Sequence, residues 1–509
     1  MSDQKFVNLT IEGRQVSVPE GTTILEAAKT AGVLIPHYCY HSGLKIAGVC
    51  RMCLVEVEKQ PKLAPSCATT VAEGQVVNVY TQKALDARKG VLELLLINHP
   101  LDCPICDQAG ECELQDYTFQ EGRADSRYRE PKRFNPAEDF GGDVLYVTNR
   151  CILCTRCVRY MGDVAGDRAL CVEERGDRAH IGIAPDHDLS HPWAANVVDL
   201  CPVGALVSKD FLNKARAWEL DRTASVCPNC SQGCNITLET RDEAVVRMKP
   251  RSNDAVNHFY LCDEGRLNYQ WINRDDRLET PMVTGKPASW DAALAAAGAA
   301  LKGGSAHVVA GASLSNEALW LLKQAAGVGK FRVAKGGEAP LPGVKDLALR
   351  ADRAANATGA ELMGFSRADN PLATAGKIVL IAGDDCTDLD TSALAGASTV
   401  IAICTVIPKG LPANSILLPI ANFAEEEGTF TNLRGRVQRF LQARPAQGLA
   451  RPSWMALAGL AAAAGKNGAF LSAEAVFIAM AKTESAFNGM SYDSVGLKGQ
   501  MAAGAGVTA

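Results

Sequence analysis

Sixteen of the chain's 18 cysteines lie at or before Cys262, and only Cys386 and Cys404 follow. Nothing else limits the fold as strongly. In a reducing cytosol, thiols in such numbers read as metal ligands rather than disulfides. They divide the 509 residues near position 275 into a cysteine-rich half and an alanine-rich half. That length suits about three to five domains. Hydrophobic residues at 47% and charged ones at 21% are those of a soluble globular chain, and a net charge of −5 argues against a nucleic-acid scaffold. The opening MSDQKFVNLTIEGRQVSV has no apolar core and no twin arginine, and no stretch nears the ~18 apolar residues of a membrane span. The expectation is a cytoplasmic chain that meets membranes only through partners.

The first 80 residues alternate. Val7, Leu9 and Ile11, a turn at Gly13, then Val16 and Val18 predict a β-hairpin, and Thr23 with Glu26 predicts a capping box opening a short helix. HYCYHSGLKIAGVCRMC follows, then a strand over Leu54–Val57 and Cys67. The set Cys39, Cys50, Cys53, Cys67 resembles the ligands of plant-type [2Fe–2S] ferredoxins on a β-grasp fold. It departs from them in its first gap, ten residues instead of four. Gly43 and Gly48 would let backbone N–H groups approach the sulfurs. A four-thiolate zinc site is the alternative, but zinc favours two close pairs, and here Cys39 and Cys67 stand alone.

A helical apolar pattern from Ala84 to Leu96 runs into NHPLDCPICDQAGEC, Asn98 to Cys112. Cys103, Cys106 and Cys112 are one ligand short of a cubane cluster. His99 is the nearest candidate for the fourth place, and Cys171 is a rival from another segment. The plain alternative for His99 is a residue balancing the dipole at a helix C-terminus. The chemical motive for histidine is charge: a neutral imidazole in place of a thiolate removes one negative charge and raises a cluster's potential.

RCILCTRCVRY gives Cys151, Cys154 and Cys157, and NVVDLCPVGAL gives Cys201 before Pro202. Two-cluster ferredoxins use C-x2-C-x2-C-x3-C-P twice, each fourth cysteine serving the other cluster. The companion cluster's positions here are Met161, His191, Ala194 and Val197, none of them cysteine. The region therefore resembles a two-cluster ferredoxin reduced to one [4Fe–4S] centre, with Cys171 outside the pattern as an ordinary buried thiol. A fourth set, Cys227, Cys230, Cys234 and Cys262, spans a predicted hairpin (236–240 and 244–248) and resembles the [4Fe–4S] domain that opens molybdopterin oxidoreductases.

These four sites in this order resemble the G-type (75-kDa) iron–sulfur subunits of respiratory NADH:quinone oxidoreductase, complex I. The resemblance covers essentially the whole chain and is most specific through Cys262. It implies one [2Fe–2S] cluster on the first set and three [4Fe–4S] clusters on the others, with His99 a ligand and no molybdopterin. The implied fold is α+β and multidomain: a β-grasp [2Fe–2S] domain at 1–80, a histidine-containing [4Fe–4S] domain at 81–140, and a one-cluster ferredoxin-like domain at 141–219. A molybdopterin-oxidoreductase-type [4Fe–4S] domain at 220–276 and an α/β scaffold at 277–509 complete it. The implied function is an electron relay toward quinone, coupled in the whole complex to proton translocation. The implied partners are the NADH/FMN flavoprotein subunit and the quinone-side iron–sulfur subunits, at the cytoplasmic face of the inner membrane.

In the second half, apolar runs at 307–310, 377–382 and 398–404 predict buried parallel strands, and Ser315 predicts a helix N-cap. Glu425 to Glu427 reads as a solvated or interface loop rather than a metal site, and LKGQMAAGAGVTA as a flexible tail. The rival reading is the α subunit of a molybdenum or tungsten NAD-linked formate dehydrogenase. Against it, Cys404 sits inside an apolar run and Cys386 in a GDDCTD turn unlike a metal-ligand loop. Glu264 stands where catalytic relatives commonly carry a lysine between cluster and pterin. No G-x-G-x-x-G opens a helix (GAGVTA at 504–509 fits the letters but no helix can follow), and no Walker A motif occurs. NADH and flavin are thus expected on partners.

Overall fold

Alternating apolar residues set the first element. Strands Phe6–Ile11 and Arg14–Pro19 pair antiparallel with Val7, Leu9, Ile11, Val16 and Val18 buried. The two-residue turn between them places Glu12 and Gly13 at positive φ, the geometry that matches the strands' twist. Thr23 caps the helix Ile24–Thr30 by accepting from the Glu26 N–H. The reciprocal half of the expected box is missing, because the Glu26 carboxylate takes the Tyr40 hydroxyl at 2.6 Å and Lys29 at 2.8 Å.

The computed structural model describes residues 5–504 apart from 374–375, 384–385 and 387–388. The chain forms two units, Met1–Glu219 with Leu341–Lys345, and Leu220–Pro340 with Asp346–Ala509. In the first, a five-stranded sheet runs in the order Arg14–Pro19, Phe6–Ile11, Gln75–Asn78, Leu54–Val57, Ala64–Pro65. Its central pair, Phe6–Ile11 with Gln75–Asn78, is parallel, and the helix Ile24–Thr30 buries Ile24, Leu25, Ala27 and Ala28 in the same core. This is the β-grasp arrangement that the resemblance implied, with the hairpin that the alternation predicted. Helix Gln82–Leu96, capped by Thr81, leads to the second cysteine set. A small sheet of Leu206–Ser208, Val144–Tyr146 and Glu138–Asp139 and the hairpin of Leu170–Glu173 with His180–Ile183 frame the third. Leu341–Lys345 belongs here although it comes from far along the chain. The Gly343 N–H donates to Val164 O at 2.7 Å, and a Cβ at Gly343 would lie 2.5 Å from Val164 Cα, so only glycine fits that approach.

The second unit opens with the antiparallel sheet Asp221–Val226, Asn235–Arg241, Ala244–Pro250, its predicted hairpin closed by Asp242 and Glu243, both at positive φ. Beyond it an eight-stranded sheet carries the predicted runs as parallel neighbours: Ile416–Pro419, Thr399–Cys404, Ile378–Ala382, Ala306–Gly311, Lys330–Arg332, Ser366–Arg367. Both faces are covered, as parallel sheets require. Helices Trp290–Lys302, Asn316–Ala326, Ser453–Ala463 and Ala473–Thr483 share one core with Phe331, Ile401 and Ile403. Ser315 is the N-cap of Asn316–Ala326, as its position predicted.

Two expectations are corrected. Glu425 is fully buried between Arg277, which it meets in a two-pronged pair at 2.9 and 3.0 Å, and Arg444 at 3.1 Å, while buried Glu426 accepts from the Ser453 hydroxyl at 2.8 Å. Partners distant in sequence make Glu425 and Glu426 internal, while Glu427 is half-buried beside Arg439. The tail is also partly structured: Gln500–Met501 pairs with Arg436–Phe440, and residues 505–509, with most of GAGVTA, lie outside the described residues. Among the described residues no helix is long and apolar enough to cross a membrane.

Candidate metal centres

No disulfide links any of the 18 cysteines. Cys39, Cys53 and Cys67 are buried and Cys50 is half-buried. Hydrogen bonds from the Cys50 and Cys67 thiols hold Cys39 low, and the same contacts, with burial, push Cys50 and Cys67 up. Cys53 is brought down to about 7, chiefly by Cys67. The four thiols therefore converge. Backbone joins them: the Cys39 N–H donates to Cys50 Sγ at 3.5 Å, Gly48 takes a φ of 66° in the loop, and the Gly43 N–H donates to His41 Nδ1 at 3.1 Å.

The second set lies in the turns after helix Gln82–Leu96. The bland account of His99 does not hold, because Lys132 occupies the helix C-terminus, donating to Leu96 O at 2.7 Å and Ile97 O at 2.9 Å. His99 Nδ1 is instead buried with no hydrogen-bond partner. Burial first, then Lys132 and Arg150, lower its pKa to about 4, so the ring is neutral at pH 7, the form that ligates metal. Cys106 and Cys112 are buried and Cys103 exposed. Burial raises the Cys112 thiol to about 11, with Cys106 and Cys103 adding to it. Cys171 is elsewhere, on the 170–183 hairpin, half-buried rather than buried as expected, its Sγ 3.7 Å from Gly182 O.

Cys151, Cys154, Cys157 and Cys201 bound a small apolar cavity with Tyr146, Ile181 and Leu206. Burial lifts Cys151 to about 11 and Cys154 to about 12, and carries Cys157 well above an ordinary thiol. Between these cysteines Leu153 and Thr155 adopt left-handed φ of 51° and 58°. Such conformations cost energy for residues with side chains and gather at functional sites. Here the coil lets the Leu153 N–H reach Cys151 Sγ at 3.4 Å. Three further backbone N–H groups, of Val203, Leu206 and Ala205, oppose the burial of Cys201.

The fourth set belongs to the second unit. Cys227, Cys230, Cys234 and Cys262 are all buried, and burial followed by their mutual proximity raises Cys234 and Cys262 well above an ordinary thiol. Gly265 closes the site. Its N–H donates to Cys262 Sγ at 3.3 Å, and a Cβ there would lie 3.1 and 3.4 Å from the sulfurs of Cys262 and Cys227. Glu264 is paired with Arg353 at 3.1 Å. Of the two late cysteines, Cys404 is fully buried in its strand, and Cys386 is buried in a turn whose flanking positions lie outside the described residues.

The donor chemistry fits iron–sulfur clusters. All the sulfurs but that of exposed Cys103 are buried or half-buried, and most receive backbone N–H groups, the environment that holds thiolates on a cluster and tunes it. Among the described residues no three His, Cys, Asp or Glu side chains are set for a single metal ion. A cluster spreads its four ligands over two or four irons, so its shell is wider than one ion's.

Sequence reasoning missed the arginines that bind these loops together. Arg159 donates to Cys39 O at 2.5 Å and to Cys154 O at 3.2 Å, linking the first and third sets. Arg216 donates to Cys106 O at 2.7 Å. The only sequence signal was their place in or near the cysteine runs.

These modules define a class: an iron–sulfur protein of ferredoxin-type domains followed by a molybdopterin-oxidoreductase-type fold. Residues 4–82 match the 2Fe-2S iron-sulfur cluster binding domain, 88–127 the NADH-ubiquinone oxidoreductase-G iron-sulfur binding region, and 141–207 the ferredoxin-like domain of NADH-quinone oxidoreductase subunit 3. Residues 220–274 match the molybdopterin oxidoreductase Fe4S4 domain and 351–463 the molybdopterin oxidoreductase family. The G-type subunit of NADH-quinone oxidoreductase from Rickettsia bellii is 43% identical over 325 residues, 62% of this chain and 48% of that protein. The mitochondrial 78 kDa subunit of NADH-ubiquinone oxidoreductase from Candida albicans is 43% identical over 328 residues, 62% of this chain and 45% of that protein. Over these stretches the chain is a homologue of the G-type subunits of NADH:quinone oxidoreductase, and it spans about half the length of these relatives. A chain from a crystal structure of NAD+-reducing [NiFe]-hydrogenase in the H2-reduced state is 29% identical over 41% of this chain and 90% of its own, with a TM-score of 0.38, too low to bear on the fold.

Proposed function

We propose that this chain is an electron-relay subunit of a respiratory NADH:quinone oxidoreductase. It would hold one [2Fe–2S] cluster on Cys39, Cys50, Cys53 and Cys67, and [4Fe–4S] clusters on three further sets. These are His99, Cys103, Cys106, Cys112; Cys151, Cys154, Cys157, Cys201; and Cys227, Cys230, Cys234, Cys262. The five-part division at residues 80, 140, 219 and 276 follows these sets. One observation carries the reading: three soft-donor sets share one unit, the first tied to the third by Arg159 and the second to the third through backbone. The Glu113 N–H, beside Cys112, donates to Pro202 O, beside Cys201, at 3.1 Å. The clusters supply one-electron chemistry. The chain's residues fix spacing, exclude water and set potential through ligand charge, hydrogen bonds and burial. Electrons would come from an NADH/FMN flavoprotein partner and leave to quinone-side iron–sulfur subunits at the cytoplasmic face of the membrane, with proton translocation a property of the whole complex.

The test is metal analysis with low-temperature EPR on anaerobically purified, dithionite-reduced protein. The ligand sets predict about 14 irons per chain with no molybdenum or tungsten. Stoichiometric molybdenum or tungsten would replace this reading with a formate-dehydrogenase-type catalytic subunit.

A further inference from the structure

Arg156, between Cys154 and Cys157, is almost wholly buried. Its guanidinium donates to Tyr40 O at 2.8 Å and to Leu200 O at 3.2 Å, and it meets both oxygens of Glu113 at 3.3 and 3.4 Å. Each acceptor belongs to the residue next to a proposed ligand: Tyr40 follows Cys39, Glu113 follows Cys112, and Leu200 precedes Cys201. One side chain therefore touches the loops of the first, second and third sets at once. It also lines the apolar cavity that the third set bounds, and its Nε is buried without a hydrogen-bond partner. Its positive charge opposes the desolvation of Cys154 and Cys201.

We infer that Arg156 is the positioning residue of the relay: its planar fork fixes the spacing of the first three clusters, and its charge raises the potential of the third. A rigid fork with donors on separate nitrogens can span loops that the single nitrogen of a lysine, on its flexible stem, cannot reach together. A cation beside a cluster stabilises the more negative, reduced form, so it raises the midpoint potential. The inference rests on the ligand sets proposed above.

The experiment is an EPR-monitored redox titration of the full chain, wild type against Arg156→Gln and Arg156→Lys. Absence of a third-cluster signal in the wild type would refute the ligand sets themselves. With that signal present, Arg156→Gln is expected to shift the third cluster to lower potential and leave the fourth, in the other unit, unchanged. Arg156→Lys should keep the third potential near wild type, yet weaken the magnetic interaction between the first three reduced clusters. Where the Gln variant loses its third cluster, the Lys variant decides by the same two readouts. The inference is overturned if both variants keep wild-type potentials and interactions, if both shift the potential equally, or if both fail to load clusters.

Discussion

At the scale of single residues, charge decides most of what can be measured. His99 brings a neutral ring where a thiolate would bring a negative charge, so His99→Cys should retain a cluster at lower potential. An unchanged second-cluster potential in that variant removes His99 from the ligands. Glu317 makes a separate case in the second unit. It is completely buried and accepts from the Thr429 N–H at 2.9 Å, the Thr429 hydroxyl at 3.0 Å and the Tyr492 hydroxyl at 2.8 Å. Burial outweighs these bonds and raises its pKa from 4.5 to about 7. Below pH ~4.5 both folded and unfolded states hold the proton. Between there and pH ~7 only the folded state holds it, so stability falls as pH rises, by ~3 kcal/mol in all, and then levels. Urea unfolding followed by the fluorescence of the core tryptophans at pH 5 and pH 8 measures this. Glu317→Gln should abolish its share of the difference, and an unaltered difference in that variant would show that other groups carry it.

At the scale of elements, local pattern was legible and distant closure was not. The predicted hairpins followed from strand patterning, the parallel strands from unbroken apolar runs and the Ser315 cap from cap chemistry, because the residues that determine them lie within a few positions of one another. The C-terminus of helix Gln82–Leu96 shows the opposite case, since its cap, Lys132, comes from another segment. The left-handed Leu153 and Thr155 were equally hidden, because neither residue type signals that conformation. Cysteine spacing named the sets, but it could not show that Gly204 presses against the second one. A Cβ at Gly204 would overlap Cys106 Sγ. The turn after Cys201 and the turn holding Cys106 thus need glycine for close approach. Gly204→Ala should deplete the second cluster, by about four irons per chain, while the fourth cluster's EPR signal stays at wild-type intensity. Full iron content in that variant would show that the Cys106 loop can move aside.

At the scale of the molecule, the sequence resolved the order of modules because each cluster type leaves its own cysteine spacing. It did not reveal that one short segment crosses between the units: Leu341–Lys345 is built into the unit formed by the first 219 residues. That has a consequence for the timing of synthesis. The ribosome finishes the first three ligand sets well over a hundred residues before it delivers the segment that completes their unit. At ~5–20 residues per second the gap is on the order of ten seconds. During it, the nascent chain offers its thiols to whatever loads iron and sulfide, while the surface of Asp163 and Val164 that Gly343 will cover is still open.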